Sequence, residues 1–289
     1  MATARDLQRQ INTVQNQARV FSALQTVSSV KFRKAEARVK KARPYADNVE
    51  QMMRDVADSA SGDLPLLVGR DEVNRVAICT LTADRGLAGG FNAQVLRRTV
   101  SLRNEKDQNA LQVASGRKAV AFFRFRRVEL AEVFTGFTDN PTYEKAREIG
   151  RTLTNVFDDA EADEVYLVFN RFESALNQTP VVKRLLPVAE EGDEEEDDDD
   201  GASYMEYVPD AETVLKRLVP RYVETMVWQA LLEGAAGEHG ARMTAMKNAT
   251  DNANDLVRDL TLAMNKARQA QITQEILEIV GGAEALSAG

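Results

Sequence analysis

Apolar residues recur in steps of four and three along the start of the chain: Leu7, Ile11, Val14, Ala18, Phe21, Gln25, Ser28, Phe32, Ala35, Val39, Ala42, Ala46, Val49, Met53, Val56 and Ala60. Only Gln25 and Ser28 break the apolar character of that stripe. A seven-residue repeat sustained this long puts one seam on one helix face and predicts a left-handed supercoil with a second helix. At 1.5 Å per residue, a helix over residues 1–60 would be on the order of 85 Å long. Pro44 removes one backbone donor, so a kink near Arg43 is expected without loss of the pattern.

The other end of the chain carries a matching stripe. Met243, Met246, Thr250, Ala253, Val257, Leu260, Met264 and Ala267 step by three and four, and Leu215, Leu218, Tyr222 and Leu232 extend it upstream. Pro209 suits a first helical turn. Pro220 and the glycines of "EGAAGEHG" weaken the helix locally and predict one bend. After Ala267 the apolar positions change phase to Ile272, Ile276 and Ile279. Neither stripe can be buried by its own helix, so the two are expected to pair as an antiparallel coiled coil.

Between them the period changes. "RVAICTLTA", "ALQVASG", "EVYLVFNRFES" and "TPVVKRLLPV" read as strands, and "RVELAEVFTGF" holds a further apolar run. "GFNAQVLRRTVSLRN", "RKAVAFFRF" and "TYEKAREIGRTLTNVFDDA" read as helices. Strands alternating with helices predict an α/β layer with a mainly parallel sheet. The expected organisation is therefore α/β plus coiled coil: an N-terminal helix over 1–60, an inserted Rossmann-like α/β domain over 73–190, and a C-terminal helix over 209–286.

Composition adds little except at one point. The chain has 289 residues, 44% hydrophobic and 28% charged, ordinary values for a water-soluble fold. The formal charge is −8, but removing the ten carboxylates of "EEGDEEEDDDD", Glu190 to Asp200, turns it to +2. Such a block repels itself and is expected to form a solvated, disordered loop over 190–203. It lacks the spacing of a calcium loop. No apolar run approaches the roughly 18 residues of a membrane span. The amino terminus has neither a signal core nor a transit-peptide composition, so a cytosolic protein beginning at Met1 is expected. The single cysteine, Cys79, lies in "VAICTLT" and reads as a buried core thiol.

Three stretches offer candidate chemistry. "LTADRGLAGGFNA" is a strand, a glycine-rich turn and a helix, the order that cradles phosphate. No lysine follows the glycines and GxGxxG is not met, so a structural turn is the better reading, with Asp84 and Arg85 expected as a local ion pair. His239 is the only histidine, too few for a histidine-rich metal site, and a packed histidine is expected. The basic run "VKFRKAEARVKKAR" lacks interleaved aromatics beyond Phe32 and reads as a solvated helix face or a surface for an acidic protein partner, ahead of nucleic acid. Two other readings of the whole chain remain: a nucleotide-binding α/β enzyme with helical oligomerisation arms, and a nucleic-acid-binding coiled coil.

The residues also carry a family likeness. "ARMTAMKNATDNA" and "NKARQAQITQEILEIVGGAEAL" closely resemble the C-terminal signature of the gamma subunit of F-type ATP synthases. "TADRGLAGGFNA", "VSSVKFRKAEARVKKARPYA" and "YMEYVPDAETVLKRLVPRYVE" are similar to that family's strand–turn motif, first helix and start of last helix, in the same order. The resemblance implies a non-catalytic rotor subunit with no cofactor, on the central stalk of a bacterial enzyme. It would couple proton-driven c-ring rotation to the beta subunits, at the cytoplasmic face of the membrane. Implied partners are the alpha and beta subunits, the epsilon subunit and the c-ring, with membrane contact only through the c-ring. By the family's pattern, Arg268, Gln269, Thr273, Glu275 and Glu278 contact the alpha/beta ring near the tip, Arg242 meets a beta-subunit loop, and Lys31, Arg33 and Lys34 face acidic beta-subunit segments. Tyr204, Glu206 and Tyr207 would grip the c-ring and epsilon subunit. The chain departs from the family at Ala88, where a cysteine is common, and in the acidic block; it has no dithiol regulatory insert.

Overall fold

The computed structural model describes residues 3–59, 69–70, 72–106, 110–188 and 211–287. The acidic block, Pro209, Tyr204, Glu206 and Tyr207 lie outside them. The chain divides into two compact units: residues 28–242, and residues 1–27 with 243–289.

In the larger unit, helices alternate with a five-stranded sheet. The strands are β1 (Val76–Leu81), β2 (Leu111–Ser115), β3 (Glu132–Phe134), β4 (Glu164–Phe172) and β5 (Gln178–Leu186), ordered β3-β2-β1-β4-β5. β1 pairs in parallel with β2 and β4, and β2 with β3, while β5 runs antiparallel to β4. β1 is buried throughout, as an apolar run at the centre of a parallel sheet must be. Successive side chains of a strand face opposite ways, and the core divides accordingly. Val76 and Ile78 pack against Val95 and Leu102 of helix α2 (Phe91–Glu105). Ala77, Cys79 and Leu81 join Ile149, Leu153 and Phe157 of α4 (Tyr143–Asp158). Helix α3 (Arg117–Phe125) covers Ala114 with Ala119 and Phe123.

The terminal helices are α1 (Ala4–Ser59) and α5 (Ala211–Ser287). Each runs unbroken through its proline, Pro44 and Pro220. Within the larger unit, Ala35 and Val39 of α1 cluster with Leu232 and Ala236 of α5. Further along α1, Met53 and Val56 share the main core with Val219, Val223 and Val227. Every described position of the predicted α1 stripe is buried or half-buried, Ser28 included. The glycines of "EGAAGEHG" serve close approach: a Cβ on Gly237 would lie 2.8 Å from Cε2 of Phe91.

In the smaller unit, Leu7, Ile11, Ala18, Met246 and Ala253 are buried. Residues Gln15 to Thr26 of α1 and Thr250 and Asn254 of α5 flank a cleft of about 580 Å³. Burial of the α5 stripe ends at Ala267, and every residue from Arg268 to Ala283 is exposed. Among the described residues no helix is long and apolar enough to cross a membrane.

Candidate functional site

The glycine-rich turn follows β1 and leads into α2. Its polar groups are consumed within the fold. Asp84 Oδ2 accepts from the backbone N–H groups of Gly136 at 2.8 Å and Thr138 at 3.1 Å, and Oδ1 from that of Arg117 at 3.1 Å. Burial raises the Asp84 carboxyl, but these bonds outweigh it and hold it below the ordinary carboxylate range. The expected Asp84–Arg85 pair does not form: Arg85 faces Asp139 at 3.7 Å. Unpaired backbone donors at the start of α3 and in the loop after β3 compete better for the carboxylate than a mobile guanidinium does. Asn92 accepts from Ala83 N–H at 2.8 Å and the Thr82 hydroxyl from Ala119 N–H at 2.9 Å.

The crevice at the carboxyl end of β1, where an open α/β sheet would take a ligand, is covered by α5. The space left among Thr82, Ala83, Phe91, Thr138, Leu231 and Glu238 is about 20 Å³, far below the roughly 300 Å³ of a small ligand pocket. The turn is structural. Among the described residues no cluster of three or more His, Cys, Asp or Glu could hold a metal ion. Cys79 is a buried thiol pushed up to about 12 by burial.

One turn of α5 builds a buried polar network against this turn. Glu238 and Arg242 meet at 2.6 Å, and Arg242 Nε donates to Gly86 O at 3.1 Å. His239 Nε2 lies 3.0 Å from Asp139 O, and its Nδ1 lies 3.4 Å from a terminal nitrogen of Arg242. A guanidinium only donates, so Nδ1 accepts and Nε2 carries the proton. Burial pulls the His239 ring below its ordinary value, and Arg242 and Lys31 act in the same direction. Burial also raises Glu238, which Arg242 only partly offsets. Asp139 in turn pairs with Lys31 of α1 at 2.9 Å, a bond that holds its carboxyl low.

The expected contact residues thus fall in different settings. Arg242 is buried and Lys31 is engaged within the chain, whereas Arg33 and Lys34 are exposed. Arg268, Gln269, Thr273, Glu275 and Glu278 are all exposed, beside exposed Ile272, Ile276 and Ile279. Glu275 accepts from Gln271 and Glu278 from Gln274, each at 3.0 Å and one helical turn away. His239 is packed, as its lone occurrence suggests. Sequence reasoning missed Glu238 and also Glu233, whose carboxylate accepts from Phe172 N–H and Arg43, each at 3.0 Å. The available signal was an acid and an arginine four apart amid alanines and glycines, a face too small-sided for solvent.

A family model described as ATP synthase matches residues 3–286. An ATP synthase gamma chain of Rubrobacter xylanophilus is 66% identical, with 100% of both chains covered. Another, of Moorella thermoacetica, is 45% identical over 99% of this chain and 100% of that one. Among solved structures, a chain of the Euglena gracilis mitochondrial ATP synthase (OSCP/F1/c-ring, rotational state 3) aligns with a TM-score of 0.72 at 18% identity, covering 99% of this chain and 95% of that one. A chain of the rotor of the same enzyme in rotational state 1 aligns with a TM-score of 0.67 at 18% identity, covering 93% and 98%.

Proposed function

Because the chain belongs to the ATP synthase gamma-chain family, we propose that it is the central-stalk rotor subunit, coupling proton-driven c-ring rotation to conformational changes at the catalytic beta subunits. It holds no catalytic residue itself. The observation that carries this reading is the end of burial at Ala267, followed by a run of exposed helix bearing Ile272, Ile276 and Ile279. A helix face that loses its own partner while keeping isoleucines is suited to the inside of another body.

The terminal helices form an antiparallel coiled coil. Support comes from the buried four-three stripe of α1 and from the larger unit, where later α1 residues meet earlier α5 residues. The inserted domain, spanning about 73–190, is Rossmann-like, a reading supported by its order β3-β2-β1-β4 of parallel strands. A curved asymmetric shaft meets three beta subunits differently, and coupling is the difference in contact free energy between their states. Arg268, Gln269, Thr273, Glu275 and Glu278 contact the alpha/beta ring, and exposed Arg33 and Lys34 face acidic beta-subunit segments. Lys31 joins them only by leaving Asp139, and Arg242 acts from within by fixing α5. Tyr204, Glu206 and Tyr207 grip the c-ring and epsilon subunit, so the chain lies peripherally at the cytoplasmic face of the membrane, which it meets only through the c-ring.

The test is reconstitution. A chain ending at Ala267, assembled with the other subunits in proton-loaded vesicles, is expected to bind the ring yet make ATP far more slowly than the full chain. Undiminished synthesis would sink the reading. ATP is also expected to leave the melting temperature of the isolated chain unchanged, unlike that of a nucleotide-binding enzyme.

A further inference from the structure

The loop between β3 and α4 holds both terminal helices, and Asp139 is where the two holds meet. Its carboxylate accepts from Lys31 Nζ of α1 at 2.9 Å and faces Arg85 of the β1–α2 turn at 3.7 Å. Its backbone oxygen accepts from His239 Nε2 of α5 at 3.0 Å. Just beyond it in the loop, Asn140 Oδ1 and Pro141 O accept from Arg38 of α1 at 2.9 Å and 2.7 Å. The same guanidinium lies over the Trp228 ring of α5, 5.5 Å from its centroid.

The loop is itself fixed to the end of β1. Asp84 accepts from Gly136 N–H, Thr138 N–H and the Thr138 hydroxyl, and its own N–H donates to Thr138 Oγ1 at 2.8 Å. A displacement of the β1–α2 turn is therefore passed through the loop to α1 and α5 at once. The larger unit runs from Ser28 to Arg242, so Lys31 stands in the first turn of α1 within it and His239 in the last turn of α5. Elsewhere in that unit the two helices are held largely by apolar packing. Apolar contact is non-directional and resists separation more than sliding. Charge-assisted hydrogen bonds are directional and fix a geometry. The Asp139 side chain is 24% exposed and that of Lys31 41%, so water screens the pair in part and its use lies in orientation more than in stability.

We propose that Asp139 is a positioning residue that locks α1 and α5 to one another, so that a turning load on the larger unit reaches both helices together. This rests on the rotor reading above. A lock matters only under load, so the test compares a loaded with an unloaded reaction of the reassembled enzyme in vesicles. Asp139→Asn is expected to leave ATP hydrolysis near the wild-type rate when no proton gradient opposes it, while synthesis driven by an imposed gradient falls about fivefold or more. A chain that merely folded or assembled less well would lower both alike. Asp139→Glu keeps the carboxylate and is expected to restore the ratio of synthesis to hydrolysis. Exchanging the pair, as Lys31→Asp with Asp139→Lys, is expected to recover much of the ratio that either single change loses, and it carries the test if Asp139→Asn fails to fold. A wild-type ratio in Asp139→Asn overturns the proposal. So does an exchange that lowers the ratio further than the single changes, since that places the work of Lys31 at an acidic partner instead. The rotor reading stands or falls separately, on whether the chain ending at Ala267 loses synthesis.

Discussion

Glu238 and Arg242 stand one helical turn apart on α5, both buried, with carboxylate and guanidinium 2.6 Å from each other. A buried pair adds little over an apolar isostere, but removing one member strands the other. Arg242→Ala is therefore expected to destabilise the isolated chain by about 3–5 kcal/mol, read by urea unfolding. Replacing both residues, as Glu238→Gln with Arg242→Met, is expected to recover much of that loss. If Arg242→Ala unfolds like wild type, the pair carries no structural weight, and any coupling defect would belong to a partner contact.

His239 gives the network a pH dependence. Its folded value is depressed below the ordinary 6.5, so the unfolded chain takes up the proton first as pH falls. The stabilisation is complete above about 6.5 and is lost as pH drops toward the folded value. The groups facing it are Arg242 and Glu238 on α5, Asp139 after β3, Lys31 on α1 and Arg85 in the β1–α2 turn. Glu238 acts in the opposite sense: its folded value is raised above 4.5, so its share is present below that pH and fades as pH rises through the folded value. Glu238 is common to both chains in a comparison with His239→Gln. That variant is expected to show a shallower loss of stability below pH 6.5 than wild type in urea titrations at stepped pH. Parallel curves would contradict the depressed folded value of His239.

Gly116 has φ 91°, and a Cβ there would lie 2.1 Å from the carbonyl oxygen of Thr82. The clash is with backbone, at the junction of β2 and α3, and cannot be relieved by a rotamer. Gly116→Ala is expected to cost about 3 kcal/mol or more, lowering the melting midpoint. A loss below about 1 kcal/mol would mean that the β1–α2 turn shifts freely.

Cys79 lies in β1, fully buried and pushed up to about 12. A thiolate is the reactive form. The thiol is expected to resist disulfide-exchange reagents in the native chain and to react at once in denaturant. Rapid native labelling would show that β1 opens locally.

The two apolar stripes were legible because helix periodicity is local: each residue of the set from Leu7 to Val56 was named by spacing alone and is buried or half-buried. The strands were legible from their apolar runs, though β3 shrinks to Glu132–Phe134 at the sheet edge. The partners of Asp84 were not legible. They are backbone donors at Arg117, Gly136 and Thr138, placed beside it only when β2, β3 and α3 assemble. Spacing likewise could not bury Arg242, whose carbonyl acceptor Gly86 lies far away in sequence.

What the sequence determined by itself was every feature set by neighbours within a few residues: which segments are helix or strand, which helix face is apolar, and where the α5 stripe stops at Ala267. The tertiary structure decided which charges are spent inside and which remain outside. Lys31 and Arg242 look like surface cations in the sequence and are held within the chain, while Arg33, Lys34 and Arg127 remain free of ion pairs among the described residues. The physical reason is that burial and pairing of a charge depend on distant groups brought within a few ångströms, and no one-dimensional period encodes that proximity.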